Sequence, residues 1–339
     1  MQAVLALAGG RLQTTQRPIP SPGKGEVLIK VHCSPVNPAD RMQVAGVYIQ
    51  NREPPFTPGL VGVGTVVDAR KGGLMGRLVA GKRVVFAPGP RLEGTWAQYA
   101  LAPARLCLPL AADLSDTDGV NLLANATTVI GLLDVARQAK ARAVVMTGAA
   151  GEIGRLLNVA ARDRGVAVIN VVRRADQAQL LRADGAEHVL DSQANDFGPK
   201  LAELATKLGA TVAFDAVAGE LTRDLLKSLP DGSEIVVLGR LSGDEMRFDG
   251  LDYLVGRHMR LSGFDVNLWV GRQSILQIMS VAKKAAALLR RGRGTRVQHR
   301  VSLSDLAVRF EKLQQSQTGG KTVVFPNGVP LQATGGARR

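Results

Sequence analysis

The sequence predicts an α/β protein of two unlike parts: a β-rich unit drawn from both ends of the chain, and a doubly wound parallel-sheet unit inserted within it. Three observations carry this. Residues 1 to about 118 read as short strands broken by Gly and Pro turns. From 119 to 263, β-branched runs alternate with amphipathic helical runs. Between one such pair lies a glycine loop, Gly148-Ala149-Ala150-Gly151-Glu152-Ile153-Gly154.

In chain order, residues 1–7 read as a strand: they lack the basic start of a signal peptide, and Arg11 soon interrupts them. Pro18, Pro20 and Pro22 mark a loop, and 27–31 and 83–87 are strands. The first unit is expected to be compact and barrel-like. In the middle of the chain, strands are expected at 143–147, 167–173, 188–191, 212–217, 234–239 and 260–263, with helices between most of them. A long helix covers 273–291, a strand follows near 297–301, and another helix leads to a strand at 321–325. This last part is expected to rejoin the first domain. The domain bounds are then 1–118 with 264–326, 119–263, and a Gly-rich basic tail at 327–339 that frays.

At 339 residues the chain can bury a large core. Its 45% hydrophobic and 21% charged content is that of an ordinary globular enzyme. No apolar run is read as approaching the ~20 residues of a membrane span, so no membrane partner is expected. Two cysteines, Cys33 and Cys107, exclude a disulfide scaffold and a four-cysteine zinc site. Reduced, buried thiols and a cytoplasmic location follow as the default. The net charge of +14 suits nucleic acid, acidic lipid or phosphate-bearing substrates. The cations are dispersed, however, and the densest cluster, 290–296, reads as a solvated turn. Aromatics do not interleave with them as base stacking requires, which argues against nucleic acid.

In the loop, Gly148 allows the tight turn, Gly151 lets backbone approach a diphosphate, and Gly154 lets helix pack on strand. The following helix aims its N-terminal amides at that diphosphate. Strand, loop, helix and second strand occur in order, which makes the motif a dinucleotide site. Glu152 places an anion near the phosphates, although an acid also suits a first helical turn. Arg173 and Arg174 end the second strand, about 25 positions after Gly148, where NAD-binding folds keep a carboxylate. An arginine there suits the 2′-phosphate of NADP, so NADPH is the expected cofactor.

Asn37-Pro38-Ala39-Asp40, Gly46-Val47-Tyr48, Gly94-Thr95-Trp96, the glycine loop, 169–173, Gly185-Ala186-Glu187-His188-Val189, Leu261-Ser262-Gly263-Phe264 and Gly320-Lys321 occur in an order that resembles the medium-chain dehydrogenases/reductases. The likeness, over residues 1 to about 326, is to their zinc-free branch of quinone oxidoreductases and mitochondrial-type 2-enoyl thioester reductases. It implies a GroES-like catalytic domain and a Rossmann cofactor domain. Zinc-dependent members carry a cysteine where this chain has Asn37, and a His-Glu pair where it has Leu60-Val61. Two apolar residues cannot bind zinc, and His32, His188, His258 and His299 show no ligand spacing, so no metal is expected.

The resemblance implies that Tyr48 sits beside the nicotinamide, where its phenol can stabilise an enolate or donate a proton. Asn37, Thr128 and Trp269 would line the substrate and nicotinamide pocket. Asn125 would contact cofactor with Gly148, Ala150, Gly151, Glu152, Ile153, Gly154, Arg173 and Arg174. Leu238, Gly239, Arg240, Leu241, Phe264 and Val266 would line the nicotinamide half, and Lys321 would approach from the last segment. Ala126 and Asp265 depart from the family's proline and tryptophan. Loops near 49–58 and 265–275 would shape the pocket. The expected activity is NADPH-dependent reduction of a conjugated C=C bond, on a CoA or acyl-carrier thioester or another unsaturated carbonyl. The alternatives are a quinone oxidoreductase and an NADPH-binding protein with an RNA-binding or structural role; a zinc alcohol dehydrogenase that has lost its motif is a further class. A homodimer is expected by analogy, through edge strands at 234–239 and 260–265.

Overall fold

A computed structural model describes residues 1–48, 52–292, 294–315 and 320–329. The chain divides into two compact units, Met1–Leu123 with Gly294–Arg339, and Ala124–Arg293.

In the first unit, β1 (Gln2–Ala6) and β2 (Leu12–Gln16) form an antiparallel pair. A mixed sheet runs in the order β14 (Val297–Val301), β15 (Lys321–Val324), β3 (Glu26–Pro35), β4 (Gly62–Asp68), β5 (Arg83–Phe86), β7 (Cys107–Pro109), and β6 (Tyr99–Pro103) also pairs with β3. β3 is the spine. Its Val27, Ile29 and Val31 pack with Val66, Val84 and Phe86, β-branched and aromatic residues that suit a pleated surface. Trp96 centres a second core and meets Phe310 edge-on, ring centroids 5.8 Å apart. Short helices α1 (Pro38–Val44), α2 (Gly73–Val79) and α3 (Asp116–Gly119) and the longer α11 (Leu303–Gln315) complete the unit. Asp116 fastens α3 to the sheet, bonding His32 Nδ1 at 2.9 Å and Arg83 Nη1 at 3.1 Å. Burial opposes its ionisation, but these partners hold the Asp116 carboxyl below its usual range.

The second unit holds six parallel strands in the order β10 (His188–Asp191), β9 (Ala167–Val172), β8 (Ala143–Thr147), β11 (Ala210–Asp215), β12 (Glu234–Val237), β13 (Arg260–Gly263). This is the doubly wound order, with its switch point between β8 and β11. Helices α4 (Thr127–Gln138), α5 (Glu152–Arg162), α6 (Ala175–Ala183), α7 (Phe197–Leu208) and α8 (Glu220–Ser228) alternate with the strands.

Four expectations need correction. Residues 264–293 belong to the second unit, not to the β-rich one. There α9 (Val266–Gly271) and α10 (Ile275–Arg291) pack on α4, and α10 also on α5, because the apolar face of α10, with Ala285, Leu288 and Leu289 buried, needs a helical surface to cover it. Of the two strands expected as edges, β13 lies at an edge of this sheet, but β12 has a neighbour on each side. One run, Asp116–Gln138, is long and apolar enough to cross a membrane, but 78% of its apolar window is buried inside the protein, as in a core helix. The tail does not fray from 327: Asn327 Nδ2 donates to Val31 O at 2.8 Å and Gln98 O at 2.9 Å, while 330–339 lie outside the described residues. Both cysteines are free and buried; burial pushes the Cys107 thiol up to about 12 and the Cys33 thiol higher still.

Candidate functional site

In the second unit the site grows from the end of β8. Gly148 turns at φ +61°, and Gly151 N donates to Gly148 O at 3.0 Å to close the loop. Gly151 caps α5 with extended backbone. A Cβ on Gly154 would overlap the Ala149 carbonyl, so only glycine brings α5 this close. A Cβ on Gly148 would come within 3.3 Å of Leu241 Cδ1, so the 238–241 loop lies against the glycine loop. Leu238 N bonds Asp215 O at 2.8 Å and Leu241 N bonds Ala216 O at 3.1 Å, which hold that loop at the end of β11.

The anion of Glu152 is answered locally. Arg155 Nη1 lies 3.6 Å from Glu152 Oε2 and Arg155 Nε 3.2 Å from Asp184 Oδ2. Ala150 and Ile153 are half-buried in the same loop. Arg173 is exposed at the end of β9, and among the described residues its guanidinium joins no ion pair. Arg174 differs: its Nε lies 3.4 Å from Asp176. Arg173 is therefore the better placed of the two to bind a phosphate.

Behind the loop, Asp215 is wholly buried. Thr147 Oγ1 donates to it at 2.7 Å and Thr222 Oγ1 at 2.6 Å, and the amides of Val217 and Ala218 each donate at 3.0 Å. This network shapes the turn at the switch point, where Ala218 takes φ +63°. The sequence reading missed it, though an acid at the end of a buried strand was the visible signal.

Asn125 lies in a π-helical turn, Leu122–Ala126, and Thr128 in the first turn of α4, each about 8% exposed or less. One turn on, Gly131 leaves room for the rings of Phe264 and Trp269, whose centroids are 6.2 Å apart. Thr128 and Gly131 are three apart and share a face of α4. Asp265, the departure from the family's tryptophan, caps α9 by accepting from Asn267 N at 2.7 Å and Leu268 N at 3.1 Å. Val266 begins that helix.

In the first unit, Asn37 caps α1 and Asp40 lies fully buried beneath it. Asp40 accepts from Asn37 N at 2.7 Å and from Leu60 N at 2.8 Å. Burial pushes its carboxyl up to about 6, against the pull of those amides and of Lys321 and Arg41. Burial likewise lowers Arg41 to about 10. Lys321 Nζ donates to Asn37 Oδ1, so a cation occupies the side chain at position 37. Val61 O accepts from Ser34 Oγ at 2.9 Å and Thr95 Oγ1 at 3.0 Å, which fixes the Leu60-Val61 segment. Tyr48 is half-buried just beyond α1, where Val47 N bonds Met42 O at 2.9 Å. Residues 49–51 of the expected pocket loop lie outside the described residues. Among the described residues no group of three or more His, Cys, Asp or Glu converges.

The structure thus joins Asn37 to Lys321, Gly148 to Leu241, and Phe264 to Trp269. Tyr48, Asn37 and Lys321 belong to the first unit, and every other expected site residue belongs to the second.

Residues 23–112 match the family described as Alcohol dehydrogenase GroES-like domain, and 153–283 the family described as Zinc-binding dehydrogenase. A Leishmania amazonensis protein named as a quinone oxidoreductase is 27% identical over 220 residues, 65% of this chain and 62% of its own length. The mitochondrial enoyl-[acyl-carrier-protein] reductase of Arabidopsis thaliana is 25% identical over 276 residues, 80% of this chain and 72% of its own. The crystal structure of a Mesorhizobium loti protein described as an NADPH:quinone reductase superposes with a TM-score of 0.88 at 30% identity, covering 96% of this chain and 98% of that one. A mycobacterial protein solved with NADPH gives 0.82 at 27%, covering 96% and 100%.

Proposed function

This chain belongs to the medium-chain dehydrogenase/reductase superfamily, and we propose that within it the protein is an NADPH-dependent, zinc-independent reductase of a C=C bond conjugated to a carbonyl. One observation carries the reading: position 37 is held by a lysine where zinc-dependent members have a cysteine ligand, and a half-buried tyrosine follows α1 in the same unit.

The glycine cradle fits a dinucleotide diphosphate, which α5 would receive at its N-terminal amides. Arg173 would take the 2′-phosphate, and Asn125 and Lys321 would contact the bound cofactor. When bound, NADPH would supply the hydride that the β-carbon of the substrate takes. Tyr48 donates a hydrogen bond to the carbonyl oxygen and stabilises the enolate as it forms. The α-carbon then takes a proton from the Tyr48 hydroxyl or from water. The donor set does not fit zinc: Asn37 Oδ1 already accepts from Lys321, and Leu60 and Val61 are apolar. Stoichiometric zinc in a metal assay would overturn that part of the reading.

The names of the Leishmania and Mesorhizobium proteins favour a second reading, a quinone as acceptor, with Tyr48 donating to a quinone oxygen. NADPH oxidation followed with crotonyl-CoA and 1,4-benzoquinone in parallel separates the two, with NADH as control. Turnover of crotonyl-CoA supports the first reading; turnover of quinone alone supports the second. Tyr48→Phe is expected to cut turnover by about 100-fold or more while NADPH affinity holds; unchanged turnover would remove its catalytic role. Self-association through the free edge of β13 is the oligomer we propose, checked by sedimentation of a variant with proline in that strand.

A further inference from the structure

Helix α2 is packed inside out. In a surface helix the large apolar side chains face the core. Here Gly76 and Val79 are buried, while Leu74 is 73% exposed, Leu78 52% and Met75 43%. Beside Val79 the inward side carries glycine for a steric reason: a Cβ on Gly72 would lie 2.6 Å from Gly76 Cα, and one on Gly76 3.0 Å from Ala69 O. Leu78 lies four positions from Leu74 and three from Met75, so the three form one outward face. Folding gains nothing from this face, and water opposes it.

Cations ring the same place. Lys71 precedes α2, Arg77 lies on it and Lys82 follows it, all exposed. Backbone bonds from Gly25 N to Lys71 O at 2.8 Å and from Ala104 N to Gly25 O at 2.9 Å bring Lys24 and Arg105 beside them. Arg70 is satisfied by Asp68 at 2.6 Å, and Glu26 accepts from Gly23 N at 2.8 Å. Among the described residues no ion pair joins Lys24, Lys71, Arg77, Lys82 or Arg105.

We propose that α2 and its ring of cations dock this protein on an anionic phospholipid surface, with Leu74, Met75 and Leu78 entering the acyl boundary and the cations facing the headgroups. Positive charge around an apolar face matches the two layers of such a surface. α2 is short, begins at Gly73 (φ +61°) and is followed by a turn at Gly81 (φ +67°), and its outward side chains are aliphatic and thioether groups that suit an acyl boundary. The face is also remote from the expected chemistry. Val27, which the α2 glycines approach, lies at one end of β3, and Asn37 follows the other, roughly 26 Å away by strand rise. What docks there is a support and not the reacting molecule, so the proposal stands whichever substrate reading holds. It departs from the expectation of no membrane partner, which rested on spanning segments and did not address surface contact.

The test is co-sedimentation of the full chain with vesicles of phosphatidylcholine alone and of phosphatidylcholine with phosphatidylglycerol, at low and high salt. Binding is expected only to the anionic vesicles, reversed by salt. It should fall about tenfold or more in the combined Leu74→Ser, Met75→Ser, Leu78→Ser variant, and likewise in Lys71→Glu with Arg77→Glu. Thermal melting of the serine variant should be unchanged or higher, because only exposed side chains are altered. Failure to bind anionic vesicles, or binding that the serine variant keeps, would overturn the proposal. Lipid-free self-association lost in that variant would also overturn it and assign the face to a second copy of the chain.

Discussion

Among the described residues two carboxylates are wholly buried, one in each unit, and they are held by different means. Asp215 receives two hydroxyls and two amides, from the end of β8, the turn after β11 and the first turn of α8. Among the described residues Asp40 receives two amides, with Lys321 and Arg41 close enough to act as charges. Four short-range donors make a latch that holds the switch-point turn in one shape. Two donors do not offset burial, so Asp40 is left with a pKa of about 6. The second unit is therefore built on a fully hydrogen-bonded carboxylate, and the first unit carries one that burial pushes up to about 6.

The largest expected effect is that of Asp215→Ala. It strands four donors and should cost roughly 3–4 kcal/mol in denaturant unfolding, with loss of NADPH binding. A loss below about 1 kcal/mol would break the contrast between the two carboxylates. Asp40→Ala strands two amides and should cost about 2–3 kcal/mol.

The pH response is next. The folded-state pKa of Asp40, about 6, exceeds the ordinary 3.8. Between those values the folded chain keeps a proton that the unfolded chain has released. Stability contributed by Asp40 is therefore full below about pH 4, falls as pH rises through about 6, and levels off above, by at most about 3 kcal/mol. Melting curves of the wild type and Asp40→Asn over pH 4 to 7 test the sign; an unchanged slope in the variant would assign the response elsewhere. The smallest effect on stability is that of Arg173→Ala, which is exposed. It should leave unfolding unaltered and weaken NADPH about tenfold with NADH unchanged, separating the scaffold around Asp215 from the phosphate contact.

The elements were legible where a local period carried them. The β8–loop–α5–β9 unit lies within 143–172, and every step of it shows as β-branched run, glycine spacing or amphipathic face. The boundary at 264–293 was less legible. The helical period of α10 shows that one face is buried, but nothing in it says against which domain. The outward face of α2 is equally hidden, because the spacing of Leu74, Met75 and Leu78 does not say which way they point; that is decided by Gly72 and Gly76, whose backbone lies against Val27 and Ala69.

By itself, the sequence determined the doubly wound unit, the dinucleotide loop, the arginine at the end of β9 and the absence of zinc donors at Leu60 and Val61. These depend on residue type and on neighbours within one or two turns or strands. Only the tertiary structure decided that Lys321 meets Asn37 across 284 positions, that Thr147 and Thr222 converge on Asp215, and that Asp40 is sealed under Leu60. Those pairings come from sheet register and packing between distant segments, whose partners leave no periodic mark on either stretch of chain.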